Sequence, residues 1–274
     1  MNKSTQWQLS GNSPKIYDQY IAPAVSAPWY SLFVETGLPY MKGPIADIGC
    51  GTGSFLLHLL DQKKISHKTK LVGVDVNALM LAIAEEKSSM YKNSISWVTA
   101  SVNKLPFNDN YFQLVYCQQG IQYFENKGKA LSEIYRIMDL KGVLIATVWS
   151  VIEECVGYKC LSDAILRIVG DNARSSLYAP FSYSDPHVLK ELARSVGFKM
   201  VSVQLVENFV YFSSIKEFGR YRIYGSPLIY DLPPDKVEEI IDKITFELEL
   251  SLKPYIGKNG LSFPVKANYL IAKK

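Results

Sequence analysis

A chain of 274 residues with an apolar fraction of 48 % can fill one large globular domain, or a core with a sizeable insertion. Its net charge of +4 comes from scattered lysines and arginines, with Lys63-Lys64 and Lys273-Lys274 as the widest runs, which excludes the electrostatic footprint of a nucleic-acid binder. No stretch approaches a membrane span, Met1 to Ser13 is polar, and Cys50, Cys117, Cys155 and Cys160 keep no metal-ligand spacing with histidine; the expectation is a reduced, soluble cytoplasmic protein without a metal site.

Short apolar runs alternate with amphipathic stretches from Ile45 to Val148. Ile45–Ile48 reads as a buried strand and Ser54–Leu60 as a helix that is apolar nearly all round. Strands follow at Leu71–Val74, Ile95–Thr99 and Phe112–Cys117, with a helix at Ala78–Ser88. The next helix carries Ala130, Leu131, Ile134, Ile137 and Met138 on one face, and Val143–Val148 is the fifth strand. Strands read as continuous apolar runs between helices belong to a parallel sheet covered on both faces. Asp185-Pro186 has the form of an N-cap followed by proline at the first helical position, and the helix it opens stops near Gly197. A sixth strand is expected at Met200–Leu205 and the last at Val265–Ala272. Between them lies an insertion, residues 206–260, whose long helix puts Val237, Ile240, Ile241, Ile244 and Leu248 on one stripe. The reading is thus α/β: a Rossmann-like, seven-stranded, mostly parallel sheet with helices on both faces. It forms a single domain, with a core at 44–205, a helical cap inserted at 206–260 and the final strand at 261–274.

The informative stretch is Asp47-Ile48-Gly49-Cys50-Gly51-Thr52-Gly53-Ser54, between the first strand and the first helix. Glycines there let a ligand approach the backbone, and the helix start adds free N–H donors with a positive dipole end. The spacing is G-x-G-x-G, not the G-x-G-x-x-G of dinucleotide folds. Asp47 would oppose a pyrophosphate by roughly 4 kcal/mol at about 4 Å in a partly buried site. The same carboxylate suits a ligand with an ammonium group, such as the methionine part of S-adenosylmethionine (SAM). Asp75, closing the second strand, is placed to take both hydroxyls of a ribose.

Asp47-x-Gly49-x-Gly51-x-Gly53, then Asp75, then Leu105-Pro106-Phe107, resembles the class I methyltransferases near the ubiquinone/menaquinone-biosynthesis type. Cys117-Gln118-Gln119-Gly120-Ile121-Gln122-Tyr123-Phe124, Val148-Trp149, Ser226-Pro227 and Gly260-Leu261-Ser262-Phe263-Pro264 extend the likeness to a bacterial, small-molecule subgroup of the type-11 methyltransferase domain. The resemblance implies SAM as cofactor and S-adenosylhomocysteine as product. It implies that Asp47, Gly49 and Gly51 hold the methionine end and Asp75 the ribose, with Cys50 and Gly53 also binding the cofactor and Val76 and Val102 on either face of the adenine. Gln118, ending the fourth strand, would face the methionine or the acceptor. Ser101 departs from the pattern: relatives often carry there an aspartate that accepts from the adenine amino group, and a serine hydroxyl also accepts. Residues 1–43 would form a helical lid, Tyr17-Asp18-Gln19-Tyr20 and Trp29 being similar to the family's entry region.

The function expected is methyl transfer to O, N or C of a small molecule, apolar or aromatic, in cofactor or natural-product biosynthesis, by a monomer or homodimer. Alternatives are a non-methylating reaction on the same fold, such as cyclisation, or a non-catalytic SAM-binding module. No Asn/Asp-Pro-Pro-Tyr/Phe tetrapeptide follows the fourth strand. Tyr17, Tyr20, Gln118 and His187 are the candidates for a catalytic role; His58 falls in the apolar first helix, His67 in a polar loop, and Glu153 and Glu154 after the fifth strand.

Overall fold

Five strands formed by the apolar runs lie parallel: β1 (Ile45–Ile48), β2 (Leu71–Asp75), β3 (Ile95–Thr99), β4 (Phe112–Gln118) and β5 (Met138–Trp149). With β6 (Met200–Phe212), β7 (Ile256–Gly257) and β8 (Gly260–Lys273) they give the order β3-β2-β1-β4-β5-β8-β6, the two-residue β7 pairing with β8. β8 runs antiparallel to β5, from Val143↔Lys273 to Trp149↔Ala267. This is the mostly parallel, Rossmann-like sheet expected from the sequence. The computed structural model describes residues 10–63, 65–66, 68–91 and 94–274; Lys64 and His67 lie outside the described residues, as does the polar stretch up to residue 9.

Three boundaries differ from the sequence reading. Met138 is extended and pairs with Phe112, so it opens β5 instead of ending the helix Lys127–Ile137. β6 continues past Leu205 to Phe212, and β8 begins at Gly260, ahead of Val265. In β6 exposed and half-buried residues alternate along most of the strand. Such a strand carries no continuous apolar run, the signal used to find the buried ones.

The described chain divides into two compact units. The sheet unit comprises residues 29–149, 183–206 and 267–274; the insertion unit comprises the described residues up to Pro28, with 150–182 and 207–266. The sequence reading ran 150–182 with the core. Its helix Val156–Val169 instead packs on Val237–Ser251, where Val237, Ile240, Ile241, Ile244 and Leu248 are all buried.

In the sheet unit the strand pleat sends alternate residues of β4 to opposite faces. Val115 and Cys117 join Leu131, Ile134 and Ile137 of one helix and Leu189 and Ala193 of Pro186–Ser195 in a closed core. The other face has Tyr116, ringed by Phe33 at 5.8 Å and Phe55 at 4.8 Å. Burying each such large apolar side chain stabilises the fold by roughly 1.5–3 kcal/mol. Asp185 caps the helix Pro186–Ser195, accepting from the His187 N–H at 2.8 Å, as the sequence indicated.

In the insertion unit, Phe218 meets Phe263 at 5.0 Å and Phe212 at 5.2 Å. A Cβ at Gly157 would lie 2.3 Å from the Phe263 ring, so only glycine lets Val156–Val169 approach so closely. Tyr17–Ser26 forms a wide helix with Pro23 inside it, closed by the Ala27 N–H donating to the Ala22 carbonyl. Proline has no N–H to give a normal turn, which favours the wider one.

One side chain holds the loop between β3 and β4. Arg136 donates to the Leu105 and Phe107 carbonyls at 3.0 and 2.7 Å and pairs with Glu133 and Asp109 at 2.8 and 2.7 Å. Glu133 in turn accepts from the Leu105 N–H at 2.9 Å. Arg136→Ala should lower unfolding stability by roughly 2–3 kcal/mol, read from the urea midpoint. The Arg136 guanidinium holds the Glu133 carboxyl below its ordinary range, so that group's contribution is complete at neutral pH. It is lost as the pH falls through the lowered value, and the gap between the wild type and the variant should narrow there, leaving the part due to the two carbonyl bonds.

Candidate functional site

The loop from β1 into the helix Ser54–Asp61 begins with a strand-end carboxylate. Asp47 is only 2 % exposed and pairs with Gly73 of β2; its Oδ1 is buried with no hydrogen-bond partner among the described residues. Burial, and then the nearby charge of Asp75, push its carboxyl up to about 8. Asp75 differs because donors meet it: the Gly51 N–H at 2.9 Å and the Asn77 N–H at 2.8 Å each take one of its oxygens. Burial still raises its carboxyl, and those backbone donors oppose the rise.

The loop is sewn to β2 by the Gly49 and Cys50 N–H groups, both donating to the Val74 carbonyl, at 2.7 and 3.1 Å. Gly49, Gly51 and Gly53 all have positive φ, of 76°, 55° and 72°. At Gly53 a second constraint acts. Its Cβ would lie 2.3 Å from the Trp97 ring, and one at Gly73 would meet the same ring at 2.3 Å. The Trp97 ring therefore fills the space beneath both glycines, held by its Nε1 donating to Ser88 Oγ at 2.9 Å. Lys87 supports the loop by donating to the Thr52 carbonyl at 3.2 Å and to Ser54 Oγ at 2.8 Å. Above Gly49 there is more room: the atoms nearest a Cβ there are Gly120 Cα at 3.7 Å and a Phe124 ring atom at 3.9 Å.

Gly120 belongs to the turn after β4. Gln118 ends that strand opposite Thr147 of β5, and Gln119 follows with φ of 52°, unusual for a residue with a side chain. The Gln119 N–H donates to the Thr147 carbonyl at 3.0 Å, and Gln122 Nε2 donates to Gln119 Oε1 at 2.8 Å. Gln119 Nε2 and Gln122 Oε1 are left buried and unpartnered, one donor and one acceptor. At the end of β3, the Ala100 N–H donates to the Asp75 carbonyl at 3.0 Å. Ser101 is exposed and its Oγ accepts from the Asn103 N–H at 3.3 Å, while Asn103 Oδ1 is buried without a partner. Val76 is 51 % exposed, leaving an apolar side chain at the surface beside Asp75.

The fold thus gathers Asp47, the glycines, Cys50, Asp75, Val76, Gln118, Ser101 and Val102 at the carboxyl ends of β1 to β4. It places Tyr17 and Tyr20 in the insertion unit, where the Tyr17 hydroxyl lies 3.4 Å from Ser26 Oγ and Tyr20 stacks on Tyr221 with ring centroids 3.7 Å apart. His187 is exposed at the start of its helix, and the His58 ring lies 5.2 Å from that of Tyr30. Burial and the two aspartates push the Cys50 thiol well above its ordinary value, and burial does the same for Cys117, so neither supplies a thiolate nucleophile. Sequence reasoning missed Trp97, Asn103, Gln119 and Gln122. Asn103 and the two glutamines sit in turns without periodicity, and only two glycines with one large ring nearby hint at Trp97.

Chemically, the loop offers a buried carboxyl with one unmet oxygen and a second carboxylate that accepts from two backbone N–H groups. Residues 46–146, which include Asp47, the glycine loop and Asp75, match the family model described as a methyltransferase domain. Over 195 residues the chain is 29 % identical to the demethylmenaquinone methyltransferase of Symbiobacterium thermophilum, covering 65 % of this chain and 77 % of that protein. It is 26 % identical over 178 residues to the ubiquinone/menaquinone biosynthesis C-methyltransferase UbiE of Rickettsia prowazekii, covering 60 % of this chain and 71 % of the relative. Among solved structures, the YcgJ protein from Bacillus subtilis superposes with a TM-score of 0.59 at 16 % identity, over 89 % of this chain and 97 % of that one. That likeness shows the fold. No helix among the described residues is long and apolar enough to cross a membrane.

Asp47 gives the site a pH signature. Its folded value, about 8, lies above that of an unfolded aspartate, so the stability tied to its protonated form is complete below the unfolded value. That stability is lost as the pH rises through about 8. Asp47→Asn should therefore flatten the fall in unfolding free energy between the two values and leave the free protein more stable above pH 8. Chemical denaturation across that range checks this, and an identical slope in the variant contradicts it.

Proposed function

We propose that the protein transfers a methyl group from SAM to a small-molecule acceptor. One observation carries this reading: Asp47 Oδ1 is buried without a partner at the foot of the glycine loop. An unmet buried carboxylate costs several kcal/mol, and a ligand ammonium group relieves that cost. The amino group of the methionine end is such a cation.

The remaining residues fit the rest of the cofactor. Each Asp75 oxygen already accepts one backbone N–H and keeps capacity for a ribose hydroxyl. Val76 and Val102 supply apolar contact for the adenine faces. Asn103 Oδ1, not Ser101, takes the adenine amino group in this reading, since the Ser101 oxygen is engaged within its own turn. Gln119 Nε2 donates to the carboxylate of the methionine end, and Gln118 closes that end of the site. When bound, SAM supplies an electrophilic methyl on a sulfonium.

What the chain contributes is alignment and exclusion of water. Holding an acceptor in line with the methyl lowers such a barrier by roughly 7–11 kcal/mol. The described residues around the loop present no poised base: the thiols stay protonated and the imidazole of His187 is exposed. This favours an acceptor whose attacking atom needs no help in losing a proton, such as the ring carbon of an electron-rich phenolate. The relatives named for C-methylation in quinone biosynthesis support that choice. The reading places the enzyme in the cytoplasm.

Calorimetry should detect SAM and S-adenosylhomocysteine binding to the metal-free protein, and both should raise the melting temperature. Asp75→Ala and Asn103→Ala should each weaken binding by about 1–3 kcal/mol, whereas Ser101→Ala stays close to the wild type. Labelled SAM should then transfer its methyl to a member of a phenolic acceptor panel. A folded protein that binds neither SAM nor its demethylated product ends this reading.

A further inference from the structure

Of the arginines in this chain, Arg136, Arg167, Arg174, Arg194 and Arg220 each pair with a carboxylate, at 2.7 to 2.9 Å. Arg222 pairs with none among the described residues, and its Nε is buried with no acceptor. The contrast holds within one helix, Ile215–Tyr224. There Lys216 meets Asp242 at 2.8 Å and Arg220 meets Glu238 at 2.8 and 2.9 Å. Nearby acids are thus available to the helix but do not reach Arg222.

The guanidinium is instead fixed over an aromatic face. Its Cζ lies 5.0 Å from the centroid of Tyr158, a ring only 4 % exposed. Phe181, Phe218 and Phe263 hold that ring from other sides, with centroids at 5.9, 6.1 and 6.0 Å. A cation on a rigid apolar wall, with a donor sealed from water, is a costly arrangement unless an anion completes it. A guanidinium fork matches a planar carboxylate. A single fixed positive charge also balances a monoanion better than a strongly hydrated phosphate dianion.

We propose that Arg222 and the face of Tyr158 form an anion subsite in the insertion unit, which takes the carboxylate of a small apolar or aromatic monoacid. This subsite goes beyond the methyl-transfer reading, and its occupancy is measured without SAM.

The test is calorimetry on the full chain with benzoate and octanoate, against benzamide and inorganic phosphate. At least one monocarboxylate should bind saturably, and the uncharged amide and phosphate should bind far more weakly. R222Q should lower the affinity by about tenfold or more, as should R222K, which keeps the charge but loses the fork. R220Q, in an exposed ion pair, should leave it unchanged. Circular dichroism establishes that each variant is folded, and R222K decides the matter if R222Q does not fold. The proposal is overturned if neither acid binds, if folded Arg222 variants bind it as the wild type does, or if phosphate or benzamide binds as tightly.

Discussion

Asp47 and Asp75 lie near the carboxyl ends of neighbouring parallel strands, and the charge of Asp75 adds to burial in pushing the Asp47 carboxyl upward. Two carboxylates in such a place are tolerated only if donors reach them. The backbone satisfies one of the pair: the glycine loop turns its Gly51 N–H onto Asp75, and the turn into the next helix adds the Asn77 N–H. Oδ1 of Asp47 receives nothing from the described residues, and so the sheet unit keeps one buried carboxyl oxygen without a donor.

Meeting even one carboxylate dictates much of the local sequence. For Gly51 to aim its N–H at Asp75, the loop must pass through positive φ at three glycines. The loop must also lie close upon β2, which leaves no room for a Cβ at Gly53 or Gly73 above the Trp97 ring. The neighbouring turns follow the same economy of donors. Arg136 and Glu133 occupy the backbone groups of the loop after β3, and Thr147 anchors the strained Gln119. Of the buried polar atoms then left over in this unit, those on Asp47, Asn103, Gln119 and Gln122 lie at or just beyond the carboxyl ends of strands, whereas Trp29 Nε1 and Asn268 Oδ1 lie elsewhere.

The insertion unit presents the opposite charge. Its helices are packed by aliphatic stripes and rings, and its other arginines each pair with a carboxylate. Arg222 escapes that pattern because the residue beside it is a buried tyrosine face, not an acid. Cation–π attraction orients a guanidinium without supplying a hydrogen-bond acceptor, and Arg222 Nε is left buried without one.

Much of this was legible in the amino-acid order. A parallel strand buried on both faces must be a continuous apolar run, so β1, β2 and β4 could be placed to within a residue at either end. The glycine spacing together with Asp47 and Asp75 marked the loop, because positive φ and buried charge each restrict the residue type. Asp185 marked a helix start for the same kind of local reason. Tertiary structure alone decided the rest. β6 alternates between exposed and half-buried residues and shows its length only when paired. The helix Val156–Val169 finds its partner in Val237–Ser251, far along the chain. Trp97 lies beneath two glycines separated from it by 44 and 24 positions (97 − 53 and 97 − 73). Which polar atoms end without a partner, Asn103 Oδ1 and Arg222 Nε among them, depends on every neighbour that packing brings near. Local spacing carries backbone conformation and burial periodicity; it carries no record of which distant group fills a gap or leaves one.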